Sequence, residues 1–316
     1  MRIVLFVATI AAIALAGYLA ITAFFLAHGA AAILRVGSPG GERAAAETPA
    51  DPMTLGYRGD PMAALSLPFQ TVALETPLGP AKAWLVPAAG AETGRAIYVH
   101  GIAGAREDGY RALKLLHEAG WSVLLISYRN DAEAPADPSG RYGFGLLEWP
   151  DLQSAVAYMA PEDTSPGVLV VAESMGGAIL GQFLAQSPLA GRVRAVALDS
   201  PALSFKAVIG HLAAQSGKPL PAVVAYVAQL LVPWQTGLDL SKAEVATVYQ
   251  TFPGPLFIAH GTGDRLVPAA PSKALADSRS APTVTLWTGA DHLGSYAEDP
   301  AAYGAAFAGF LASLPK

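Results

Sequence analysis

The chain has 316 residues, more than a typical single domain, yet α/β folds often run past 200 residues around one sheet. Hydrophobic residues make up 53% and charged residues only 14%, which excludes a disordered chain and points to a large core plus membrane-directed sequence. A net charge of −5 with no basic run argues against nucleic acid as a partner, and the lack of cysteine removes disulfides, thiolate metal sites and cysteine nucleophiles.

Residues 3–27 are uncharged and nearly all apolar, long enough for a hydrocarbon core that takes about 20 helical residues. This length exceeds a signal-peptide h-region, so residues 1–34 are expected to be an uncleaved single-pass anchor. The small residues 30–32 leave a cleaved signal peptide as the alternative. Arg2 precedes the segment while Arg35 and Arg43 follow it, so positive charge hardly decides topology. The expectation is an extracytoplasmic, periplasmic domain, because a short tail before a long apolar helix resembles a signal anchor. Residues 35–67 hold Gly-Ser-Pro-Gly-Gly, an alanine run and several prolines without a sustained period, and read as a linker.

Residues 68–316 are expected to form the catalytic domain. Runs 69–75 and 81–86 flank the turn Pro77-Leu78-Gly79-Pro80 and predict an opening hairpin. Strand-like runs at 96–100, 121–128, 167–172, 193–199, 255–260 and 283–287 then alternate with helical stretches, which predicts a mostly parallel sheet covered by helices on both faces. In such sheets ligands collect beyond the carboxyl ends of the strands.

Val170-Val171-Ala172-Glu173-Ser174-Met175-Gly176-Gly177 runs from a β-branched strand into an alanine- and leucine-rich helix. A serine on that turn is pushed out of the sheet, and the positions two before and two after must be small, as Ala172 and Gly176 are. Serine needs a base, and histidine suits that task near neutral pH. The order Ser, acid, His is met by Ser174, Asp264 after the seventh run and His292 after the eighth. Asp199 and Asp291 are rivals for the acid. Asp291 adjoins the histidine and is expected to point away from it, whereas Asp199 stays open as a second position. Oxyanion donors are expected from the backbone N–H groups of Met175 and Ile102, with Gly101 and Gly104 keeping the loop close. His100 and His260 read as structural histidines at strand ends.

Together Tyr98-Val99-His100-Gly101, the serine turn, His260-Gly261-Thr262-Gly263-Asp264 and Asp291-His292 resemble the α/β-hydrolase superfamily, specifically its Bem46-like or serine-aminopeptidase-like branch. The segment Tyr128-Arg129-Asn130-Asp131, Tyr142-Gly143 and Glu148-Trp149-Pro150-Asp151-Leu152 is similar to a pattern in bacterial hydrolases of that branch. Glu148 and Asp151 read as a helix start with Pro150 in the first turn. The resemblance implies the fold and a serine hydrolase but not the substrate, since such proteins include esterases, lipases, thioesterases, amidases, peptidases and catalytically dead members.

No close-spaced metal ligands and no phosphate-binding glycine frame are present, so neither metal nor cofactor is expected. Residues 202–250 form an insert too long for a simple crossover; it reads either as an apolar helical cap over the site, which favours a small-molecule or lipid-like ester, or as helices that only cover the sheet. Thioester or amide cleavage on the same residues, or a non-catalytic membrane-tethered binding protein, are the alternatives.

Overall fold

The computed structural model describes residues 1–37, 48–162 and 167–315, so the predicted linker residues 38–47 lie outside it. Eight strands are built where alternating or wholly apolar runs leave no face for water: β1 (Gln70–Thr76), β2 (Gly79–Val86), β3 (Gly94–Val99), β4 (Trp121–Ile126), β5 (Val168–Glu173), β6 (Val193–Asp199), β7 (Leu256–Gly261) and β8 (Thr283–Thr288). They form one sheet in the order β1-β2-β4-β3-β5-β6-β7-β8. β1 and β2 pair antiparallel, as the hairpin requires, and β2 meets β4 antiparallel. All other pairs are parallel.

The eleven helices among the described residues are α1 (Arg2–Ile33), α2 (Pro61–Leu65), α3 (Tyr110–Glu118), α4 (Trp149–Met159), α5 (Met175–Gln186), α6 (Phe205–Gln215), α7 (Pro221–Thr236), α8 (Ala246–Thr251), α9 (Ala270–Ser278), α10 (Ser295–Glu298) and α11 (Pro300–Ala312). Side chains alternate across a strand, so each strand feeds two cores. Val168, Val170 and Ala172 of β5 join Ile97 and Val99 of β3 under α4 and α5. Leu169 and Val171 join Tyr98 and Phe257 on the other face, under α3 and α11. Helices therefore cover both faces of a mostly parallel sheet. Burying a Leu, Val or Phe side chain contributes about 1.5–3 kcal/mol, so these two layers fix the strand ends on which a site can be built.

Between β6 and β7 lie α6, α7 and α8, within the predicted 202–250 insert. The N-terminal helix differs from a free tether. Its first half is exposed, but Ala23, Ala27, Ala30 and Ala31 are buried against the domain because alanine lets helices approach closely. The Tyr18 hydroxyl donates to Pro219 O at 2.8 Å, while Arg141 donates to both Ala31 O (3.1 Å) and Gln235 O (3.0 Å). These ties bracket α7 at both ends and run it parallel to the second half of α1. Backbone bonds from Tyr142 N to Leu34 O and from Val36 N to Gly140 O finish the docking.

The described end of the linker is also wrapped on the domain. Gly56 N and Arg58 donate to Asp108, the Tyr57 ring meets Tyr110 edge-on, and Met53, Leu65 and Leu67 pack on the second core.

Candidate active site

The strand-to-helix turn after β5 carries Ser174 at φ 51°, ψ −120°, a conformation that costs an L-residue about 1–3 kcal/mol and persists only where its surroundings enforce it. They do so by close packing. A Cβ on Gly176 would sit 2.4 Å from Val99 O, and one on Gly177 would sit 2.8 Å from the Pro201 Cβ. Only glycine lets α5 start this close to β3 and the loop after β6. Ser174 N donates to Asp199 O at 3.0 Å, which ties the turn to β6.

The structure brings three of the residues expected from the sequence into one chain of hydrogen bonds. His292 Nε2 lies 2.9 Å from Ser174 Oγ, and His292 Nδ1 lies 2.7 Å from Asp264 Oδ2. Asp264 is buried, and burial alone would raise its pKa. Hydrogen bonds from His260, His292 and the Val267 N–H overcome that, holding the carboxyl far below its ordinary range. Leu266 N and Val267 N both donate to Oδ1, which leaves Oδ2 to face the histidine. His260 is fully buried, with Nδ1 on Ser272 Oγ (2.8 Å) and Nε2 between Val267 O (3.1 Å) and Asp264 Oδ2 (3.3 Å).

The rival acids are committed elsewhere. Asp291 forms an ion pair with Arg265 and accepts the backbone N–H groups of Arg265 and His292. Asp199 receives the Tyr303 hydroxyl at 3.1 Å and Ser200 Oγ at 3.3 Å. Among the described residues neither bonds the His292 ring.

Opposite Ser174 runs the loop after β3. A Cβ on Gly101 would fall 2.9 Å from Ser174 Cβ, so glycine is required for this approach. The carbonyl of Gly101 is held by His100 Nδ1 (2.8 Å) and by the Tyr128 hydroxyl (3.0 Å). Because the peptide is planar and trans, fixing that carbonyl aims the Ile102 N–H the opposite way. Met175 is the first residue of α5, and its N–H has no intrahelical acceptor. These are the two donors expected from the sequence, and Ile102, Met175 and Ser174 line the same pocket.

His100 Nε2 faces Asp131 Oδ2 at 2.9 Å, so both ring nitrogens point at acceptors, an arrangement that favours the doubly protonated ring. Burial opposes the charge, but Asp131 and the Gly101 carbonyl outweigh it and raise the pKa of His100. Tyr128 stacks on the ring at 4.2 Å.

Sequence reasoning missed a second set of residues under the site. Arg111 donates to Glu173 Oε1 (2.7 Å) and to Leu293 O (3.0 Å), joining the residue before Ser174 to the residue after His292. Tyr98 donates to Glu173 Oε2 at 2.8 Å. Burial raises the Glu173 carboxyl to about 7 against the pull of Arg111, and Asp199 is raised for the same reason. Glu173 was visible beside the serine, but nothing in the spacing marked Arg111 as its partner.

Glu148 and Asp151 sit at the start of α4, with Pro150 in its first turn. Glu148 accepts Gly143 N and Gly145 N, bracing Phe144 at φ 52°. Asp151 takes a two-pronged ion pair from Arg129, with Nε and NH2 both at 2.8 Å.

An apolar pocket of about 50 Å³ opens on Ser174, walled by Ala30 and Leu34 of α1, Phe144, Phe205, Ile209 and Leu266. Ligand pockets run to about 300–1,000 Å³, so α6 or the end of α1 must shift before a substrate fits. A larger concavity of about 1,710 Å³ lies by the opposite, N-terminal ends of the strands, beside Gly94, Trp121 and Val193, far from the serine. Among the described residues no three His, Cys, Asp or Glu side chains are grouped to hold a metal ion.

No protein-family model matches the chain. An uncharacterised protein, YfhR of Salmonella typhimurium, is 28% identical over 207 residues, which cover 61% of this chain and 63% of YfhR. The match thus spans less than two thirds of that relative. The esterase Pf2001 of Pyrococcus furiosus superposes with a TM-score of 0.63 at 17% identity, covering 86% of this chain and 99% of the esterase. Est1E of Butyrivibrio proteoclasticus, solved with ferulic acid bound, gives 0.58 at 17% identity over 77% of this chain and 98% of Est1E. A bromoperoxidase from Bacillus anthracis gives 0.54 at 17% identity, covering 77% of this chain and all of the bromoperoxidase. These likenesses establish the α/β-hydrolase fold, and their varied names show that the fold leaves the reaction open.

Proposed function

We propose that the protein is a membrane-anchored serine hydrolase that cleaves a carboxylic ester with a hydrophobic acyl or alkyl part. The observation that carries this reading is the unbroken hydrogen-bond chain from Ser174 Oγ through His292 to Asp264, ending in an apolar pocket. His292 Nε2 takes the Ser174 proton as Oγ attacks the ester carbonyl, and the Ile102 and Met175 N–H groups receive the oxyanion. His292 then returns the proton to the leaving alcohol. Water, activated by the same nitrogen, attacks the acyl-enzyme and releases the acid. Thioester or amide bonds can be cleaved by the same groups. The pocket favours the ester reading only in its apolar wall, which suits a hydrocarbon chain.

The anchor reading is supported by α1, the one helix among the described residues long and apolar enough to cross a membrane, with a mean hydropathy of 2.5. Cleavage near Ala30 would remove the docked turns around Ala23 and Ala27 that hold the pocket-lining Ala30 and Leu34 against the domain. The same reading puts the catalytic domain on the extracytoplasmic side, supported by the likeness of a short tail before a long apolar helix to a signal anchor.

One experiment tests nucleophile and side together. A charged, membrane-impermeant fluorophosphonate added to intact spheroplasts is expected to label the full-length protein, and Ser174→Ala is expected to abolish labelling. Labelling that survives Ser174→Ala overturns the nucleophile. Labelling only after lysis puts the domain in the cytoplasm, and labelling of a soluble chain starting near Ala30 shows cleavage.

A further inference from the structure

The outer face of α7 is apolar. Leu220 and Val223, Tyr226, Leu230 and Trp234 are all exposed, Trp234 at 78%, while Val224, Ala225, Ala228 and Val232 are buried on the opposite face. Spacings of three and four residues put the exposed set on one side of the helix. An apolar strip of this length on a surface marks an interaction site.

Its position beside α1 names the occupant. Residues 3–17 of α1 are free of the domain and measure about 22 Å at 1.5 Å per residue. A hydrocarbon core is about 30 Å thick, so a spanning α1 brings its next turn, Tyr18 to Thr22, to the core boundary. Tyr18 is the residue bonded to Pro219, immediately before α7. The start of α7 therefore lies at that boundary too. Lys218, exposed just ahead of it, can snorkel to lipid phosphates, and Tyr226 is a side chain suited to the interface.

We propose that the outer face of α7 is a second membrane-embedded surface, continuous with α1, which seats the Ser174 pocket on the bilayer so that its substrates are membrane-resident lipid esters. The proposal rests on the reading of α1 as a retained anchor and of Ser174 as an ester-cleaving nucleophile. It adds the partner, the bilayer itself, and the substrate's source. Because α7 runs parallel to α1 away from the core, Leu220 and Val223 lie deepest, Leu230 is about 15 Å further out than Leu220, and Trp234, about 21 Å further out, stands beyond the headgroups. Ala30 and Leu34 continue from α1 into the pocket wall, so an acyl chain leaving the lipid stays against apolar side chains.

The chain has no cysteine, so single cysteines carry a fluorophore without background. Full-length protein with one label at Leu15, Val223, Leu230, Trp234 or Glu118 is reconstituted in phosphatidylcholine vesicles with or without brominated acyl chains. Expected quenching falls in the order Leu15, Val223, Leu230, Trp234, with none at Glu118, an exposed site on α3. Quenching at Leu15 without quenching at Val223 overturns the proposal and leaves the anchor standing. No quenching at either site removes the anchor and the proposal together. Protection of Val223 from aqueous iodide without lipid quenching, at a doubled particle mass, assigns the face to a second copy instead.

Activity separates the substrate claim. Val223→Asp with Leu230→Asp is expected to cut hydrolysis of a long-chain acylglycerol in vesicles by roughly tenfold or more, since charge in the bilayer is disfavoured. Cleavage of soluble p-nitrophenyl butyrate is expected to stay within about twofold, because neither side chain lines the pocket. Equal loss on both esters overturns lipid delivery. If the wild type cleaves neither ester, the esterase reading and lipid delivery fail together, and the quenching order alone decides the surface.

Discussion

Two carboxylate–histidine pairs flank Ser174, and they are built for opposite ends. In one, Asp264 holds His292 Nδ1 and the other ring nitrogen faces a hydroxyl, which can give up a proton. In the other, Asp131 holds His100 Nε2 and the second nitrogen faces the carbonyl of Gly101, which can only accept. In the proposed reaction the first ring takes a proton from that hydroxyl, whereas the second is held in place between two acceptors. Burial sharpens the contrast, since the His292 side chain keeps 15% of its exposure while His100 keeps 1%. The proposed base is thus set apart from its counterpart by the partner of its far nitrogen, not by nearness to an aspartate.

Breaking the first pair is expected to have the largest effect. Asp264→Asn keeps the shape but allows the wrong histidine tautomer, and kcat is expected to fall by about 10⁴. Asp199→Asn is expected to cost less than about tenfold, because Asp199 serves Tyr303 and Ser200 rather than His292. Steady-state rates on a soluble ester check both, and a reversed order would move the acid to β6.

Breaking the second pair gives an intermediate effect. Asp131→Asn removes the carboxylate that raises the His100 pKa and fixes its Nε2, so the ring's hold on the Gly101 carbonyl is expected to weaken. Asp131 also accepts Tyr128 N at 2.7 Å, so the loop after β4 loosens with it. Losing one oxyanion donor costs about 10²–10³ in kcat, and blurring the aim of Ile102 is expected to cost about 10² with KM little changed. An unchanged kcat in a folded Asp131→Asn would make this pair purely structural, and fluorophosphonate labelling of Ser174 reports whether the nucleophile itself survives.

The two pairs were not equally legible in the sequence. Ser174, Asp264 and His292 sit at strand ends in a fixed order, and each of the eight predicted strand runs overlaps an observed strand, so the placement followed from the sheet. Asp131 stands in the segment Tyr128-Arg129-Asn130-Asp131, but its partner His100 lies at another strand end and depends on side-chain direction, which periodicity does not carry. Arg111 was hidden for the same reason, on a helix that reads as ordinary. In α1 the obstacle was uniformity. A helix apolar all round shows no stripe, so the alanines that dock it could not be told from those left exposed.

The smallest expected effect tests the buried pair that neither histidine serves. Arg111 is ion-paired to Glu173 beneath the site and its charge also reaches Asp199, and Glu173 is raised from 4.5 to about 7 by burial first, with Asp199 adding to it. A carboxyl whose pKa rises on folding stabilises the protein fully below its unfolded value, near 4.5, and this contribution is lost as pH climbs through 7. Allowing for the counter-charge of Arg111, stability is expected to fall by about 1–2 kcal/mol between pH 5 and 7. Glu173→Gln cannot ionise, so its Tm in detergent is expected to vary less across that range, whatever the absolute loss from the missing ion pair. The nearby rate constants sharpen the reading, because Arg111 also holds Leu293 O and a loosened Arg111 would misplace His292. A pH slope that persists in Glu173→Gln and vanishes in Asp199→Asn would assign the titration to Asp199 on β6, the carboxylate facing Tyr303, instead of Glu173 beside Ser174.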